Sequence, residues 1–132
     1  MEINIKIIDS DFNTETGIST TKILTDLGSF TGTAKLHPDD QDKASRFAGC
    51  RYAEIRATIK YMKMKKKLFK EEIKLLNHLL GNTKNKISRK NITEITQNLA
   101  NDIQECNKNI ELLKKSLTAT IEKREEFVNK EH

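Results

Sequence analysis

Two proline-free stretches, with apolar residues three and four apart, constrain this chain more than anything else in it. Phe47, Ile55, Ile59, Met62, Phe69, Ile73, Leu76 and Leu80 recur at spacings of three, four or their sums. That period places side chains on one face of a helix. Ile92, Ile95, Leu99, Ile103, Cys106, Ile110, Leu113, Leu117 and Ile121 follow at alternating threes and fours, a coiled-coil seam of about four heptads. Gly81-Asn82 reads as a stop for the first run. "NITE" (Asn91 to Glu94) offers the second an N-cap and a glutamate three residues on. The expectation is helix one over 38–81 and helix two over 91–130. A helix of about 40 residues is about 60 Å long, and two such helices joined by a short link pack antiparallel.

Before residue 37 the period changes from helical to two. Ile3, Ile5 and Ile7 alternate with polar residues, "ISTTKILT" is rich in β-branched side chains, and "SFTGTAKL" alternates again. These read as three strands. "DSDFNTETG" between the first two reads as a loop and "DLG" as a tight turn. "HPDD" then launches the first helix somewhere from Pro38 to Lys43, because proline and carboxylates suit a helix start. The fold class expected is α+β: a small N-terminal antiparallel β-sheet over 1–36, followed by a long antiparallel helical hairpin. All 132 residues are expected to form a single domain. A hairpin this long buries only a narrow seam, so it should cover more surface against copies of itself. A homo-oligomer, at least a dimer, is expected.

Several classes of function find no support in the residues. No apolar run approaches the roughly 20 residues of a membrane helix, and "MEINIKIID" lacks a signal-peptide pattern. A cytoplasmic protein is expected. Cys50 and Cys106 are isolated, and His37, His78 and His132 are scattered, so no metal site and no cofactor is expected. No nucleophile motif, phosphate-binding glycine loop or zinc-helix motif occurs. A non-enzymatic protein is expected.

Charge points to an anionic partner. The chain carries +5, and residues 37–80 alone hold eleven basic and six acidic side chains. Lys63, Lys67, Lys70 and Lys74 fall on one helical stripe. Such a stripe is ordinarily a solvated face. Its phosphate-binding alternative lacks the interleaved aromatics of a nucleic-acid protein, so nucleic acid is not the expected partner. Arg46, Arg51 and Arg56 open helix one, and an antiparallel hairpin brings Arg124 near them. Guanidinium groups grip phosphates in a bidentate fork. Phe30, Phe47, Tyr52 and Phe127 lie in the same zone and suit stacking on a base, with Lys35 and His37 at the strand-to-helix corner. The candidate ligand site is therefore Phe30, Lys35, His37, Phe47, Arg51, Tyr52, Arg56 and Arg124. The rival reading pairs these arginines with Glu54, Glu122, Glu125 and Glu126 and packs the aromatics into the core.

"GTAKLHPDD", the following "FAGCRYAEIRATIKYMK" and the two long helices resemble the first family of phage proteins that counter Thoeris defence. The resemblance covers most of the chain in layout and about thirty residues in local pattern. It implies an N-terminal antiparallel sheet, a helical hairpin and oligomeric assembly. It also implies tight, non-catalytic binding of glycocyclic ADP-ribose made by TIR-domain enzymes, so that the downstream effector stays silent. Some relatives are similar in taking up cyclic oligonucleotides at separate sites. Two alternatives stand beside this: an oligomeric helical assembly protein, and a nucleic-acid-binding protein that uses the lysine stripe.

Overall fold

The computed structural model describes residues 3–35 and 43–131, with side chains described for 3–35 and 46–119. Three antiparallel strands, β1 (Ile5–Asn13), β2 (Ile18–Thr25) and β3 (Gly28–Lys35), form a sheet in the order β1-β2-β3. Two long helices follow, α1 (Lys43–Gly81) and α2 (Lys86–Glu131). The class is α+β, a small antiparallel sheet followed by a helical hairpin. The chain divides into two compact units. One is Met62–Ile110, and the other combines the sheet and α1 up to Tyr61 with α2 from Glu111 onward.

β1 is longer than its alternation indicates. It runs to Asn13, through residues that read as loop, because its register against β2 shifts between Ile7 and Asp9. This β-bulge at Ile8 flips the parity of the strand. Ile5 and Ile7 share the helix-facing side before it, and Ser10 and Phe12 share that side after it, opposite Thr21 and Ser19. The turn from β1 to β2 is held by the Asn13 side chain, whose Oδ1 accepts from Glu15 N at 2.9 Å and Thr16 N at 3.2 Å. Gly17, with φ of 72°, supplies the left-handed residue that closes it.

Ser19, Thr21 and Ile23 of β2 are buried, and so are Gly32 and Ala34 of β3 beside them. α1 covers this face through Ala53, Ala57 and Tyr61, while Ala48 and Ile55 are buried on the opposite side of the helix. Small residues on both sides set the approach. A Cβ on Gly32 would stand 2.6 Å from Ala57 N and would overlap Ala53 O. Arg56 Nη1 donates to Thr33 O at 2.8 Å, and Lys60 Nζ donates to Thr31 O at 2.7 Å. Phe30 packs on Tyr61 with ring centroids 5.8 Å apart, and the Tyr61 hydroxyl donates to Asp26 in the β2–β3 turn. The expected start of α1 lies at Pro38 to Lys43. The helix is described from Lys43, and residues 36–42 lie outside the described residues.

In the other unit, Met62 and Lys65 of α1 and Ile92, Leu99, Cys106 and Ile110 of α2 are buried. Phe69, Ile73, Leu76, Leu80 and Ile103 are half-buried along the same seam. Two details differ from the sequence expectation. α2 begins at Lys86 rather than 91, because Asn85 is its cap: Asn85 Oδ1 accepts from Ile87 N at 2.9 Å and Ser88 N at 3.2 Å. Ile95 is 49% exposed, and half-buried Thr96 takes the seam position in its place. Thr96 can do so because its hydroxyl donates to Ile92 O at 2.8 Å, so it brings no unsatisfied polar group inside.

Candidate functional site

A cleft of about 350 Å³ lies between the sheet and the N-terminal turns of α1. Ile7 and Ser10 of β1 and Thr21 of β2 form its floor, and Phe47, Cys50, Arg51 and Glu54 form its helical wall. It exists because α1 crosses the sheet obliquely. Arg46 stands over Phe12, its guanidinium carbon 4.9 Å from the ring centroid. Thr21 Oγ1 donates to Cys50 O at 3.4 Å. One and two turns later α1 lies on Gly32 of β3. The helix thus leaves β1 behind, and the space beside Ile7 stays open.

The chemistry of the cleft is mixed. Phe47 and Ile7 present apolar surface, with Phe47 75% exposed. Ser10 presents a hydroxyl, and the buried Thr21 hydroxyl, which donates to Cys50 O, stands 3.4 Å behind it. Arg51 supplies one positive charge and Glu54 one negative charge, paired at 3.0 Å across one turn. An exposed pair of this kind contributes about 0–1 kcal/mol, so it holds Arg51 only weakly. Outside the cleft, on the same face of β2, Ser19 Oγ is buried with no hydrogen-bond partner among the described residues.

Of the eight residues expected at a ligand site, Phe47 and Arg51 line this cleft. Phe47 is exposed there, a correction to its place in the apolar face of helix one: at about 100° per residue it falls on the same stripe of α1 as Arg51 and Glu54, beside the sheet rather than on it. Phe30 is half-buried on Tyr61 at the opposite edge. Arg56 is engaged with β3, Lys35 is exposed at the end of that strand, and Tyr52 is half-buried on α1. His37 and the side chain of Arg124 lie outside the described residues. Arg51 has the carboxylate partner that the rival reading names, Glu54. Ile7, Ser10, Thr21, Cys50 and Glu54 join the cleft without having been expected there. Ser10 carried no signal because the bulge hides its strand.

Around the second half of α1 three faces are distinct. Met62, Phe69, Ile73, Leu76 and Leu80 form the seam. Lys63, Lys67, Lys70 and Lys74 are exposed on a second face. Met64, Leu68, Leu75 and Leu79 form a third, exposed by 39% to 71%. Among the described residues, no cluster of three or more histidines, cysteines or carboxylates could hold a metal, and no helix is long and apolar enough to cross a membrane. Comparison with known protein families, curated proteins and solved structures finds no match to this chain.

Proposed function

We propose that the protein binds and sequesters a cyclic ADP-ribose signal, glycocyclic ADP-ribose made by TIR-domain immune enzymes, and releases it unchanged. The observation that carries this reading is the cleft that sets Phe47 and Arg51 one helical turn apart above the exposed Ser10 hydroxyl. A ring for a base, a guanidinium for a phosphate and a hydroxyl for ribose are what such a ligand asks for. The volume lies at the small end of ligand sites. Among the described residues, those that line the cleft supply no nucleophile with a paired base.

Calorimetric titration with glycocyclic ADP-ribose tests this. The expected result is saturable binding, with intact ligand recovered after heat denaturation. Arg51→Ala should weaken binding by about tenfold or more with unchanged helical content, as loss of a charge-assisted phosphate contact does. Glu54→Gln should strengthen it, because it frees Arg51 and removes a carboxylate from beside the phosphates. Absence of both heat and a thermal shift with the unaltered protein would sink the proposal.

A second reading has its own observation. The exposed Met64, Leu68, Leu75 and Leu79 stripe favours a helical assembly protein whose purpose is the assembly itself. That reading gains if the protein is oligomeric and ignores cyclic ADP-ribose ligands.

A further inference from the structure

The sheet has two edges, and they are treated differently. Along β3, Arg56 and Lys60 reach from α1 to the carbonyls of Thr33 and Thr31, so side chains already occupy that edge. β1 is the other edge. Apart from Phe12, all of its residues are exposed. Ile5, Ile7 and Ile8 are among the exposed large apolar side chains. An open edge rich in isoleucine is a template for a further strand.

We infer that the strand it takes is β1 of a second copy of this chain, antiparallel about a two-fold axis between Ile8 and Asp9. The charge pattern selects that occupant. Within its own sheet Asp9 faces Lys22, whereas Lys6 faces Leu24 and Asp11 faces Thr20. Antiparallel self-pairing puts Lys6 opposite Asp11 of the other copy, twice by symmetry. Parallel pairing in register would instead stack Lys6 on Lys6 and Asp11 on Asp11.

The bulge supports the same register. In a regular strand, residues whose numbers add to an odd total point to opposite faces. Here the parity flips at Ile8. Ile5 then meets Phe12, and Ile7 meets Ser10, all on the helix-facing side, while Lys6 and Asp11 meet on the outer side. One register therefore satisfies apolar facing and charge together. The result is a six-stranded sheet with both α1 helices on one face. The oblique path of α1 toward β3 leaves room for this, and Ile7 and Ser10 of the second copy come to border the cleft.

Sedimentation velocity on the full chain over a range of concentrations tests the proposal. The unaltered protein should dimerise. Lys6→Glu and Asp11→Lys should each weaken the dimer by about tenfold or more, since each makes two symmetric contacts repulsive. The double variant should recover the dimer to within about twofold of the original, because the pairs are restored with their signs exchanged. A protein that stays monomeric, a dimer indifferent to both single changes, or a double variant that fails to recover would each overturn it. Amide exchange provides a readout free of substitutions. Protection over Ile5 to Asp11 should rise with protein concentration, and a constant protection would also overturn the pairing.

Discussion

Cys50 and Cys106 have the same chemistry and opposite surroundings. Cys50 is half-buried on the wall of the cleft, while Cys106 is fully buried. Burial pushes the Cys106 thiol up from its ordinary value; Asp102 and Glu105 add to the rise, and Lys65 and Lys66 oppose it. At about pH 8 a thiol reagent should therefore modify Cys50 and spare Cys106 until the protein is unfolded. The linkage has a definite sign. With the folded value above the unfolded one, the contribution of Cys106 is whole below the ordinary thiol range. It falls as pH rises from there to the raised value, because only the unfolded chain loses the proton. Urea unfolding should show this loss, and Cys106→Ala should flatten it. At the cleft, the pairing of Phe47 with Arg51 was legible in their spacing of four. What lay beneath them was not. Helical period tells which side chains share a face, but not the angle at which that face crosses a sheet. Phe30 and Arg56 therefore go to β3 and Tyr61, although their numbers placed them with Arg51.

Gly32 sets the separation of β3 and α1. A methyl group there meets main chain of Ala53 and Ala57, which cannot rotate away as a side chain would. Gly32→Ala should destabilise the protein by about 3 kcal/mol, the upper part of the usual range for overpacking. Thermal or urea denaturation measures it. The elements themselves were largely readable from their periods: three strands, a turn at Asp26-Leu27, and two long helices. Two boundaries and one seam position were not. β1 continues past Ile7 because one extra residue breaks the alternation on which the reading relied. α2 starts at Lys86, capped by Asn85 rather than Asn91, because two asparagines, six residues apart, both suit a cap, and only geometry chooses between them. Thr96 displaces Ile95 from the seam because its hydroxyl bonds within the helix. Hydropathy alone ranks these two the other way.

With 39 residues in α1 and 46 in α2 out of 132, far-ultraviolet circular dichroism should report about two thirds helix. A markedly lower value would contradict helices of this length. At this scale the positive charge has a shape as well as a sum. In α1 the lysine face, the seam and the leucine face run side by side, so one helix serves solvent, its own hairpin and an uncovered surface at once. The sheet, in contrast, depends on a count. Ile8 is the single surplus residue that lets isoleucines and Phe12 share one side of β1. Gaining or losing one residue ahead of Asn13 would exchange inside and outside for half the strand. Which side of β1 faces α1 is thus set by the number of its residues as well as by their kinds.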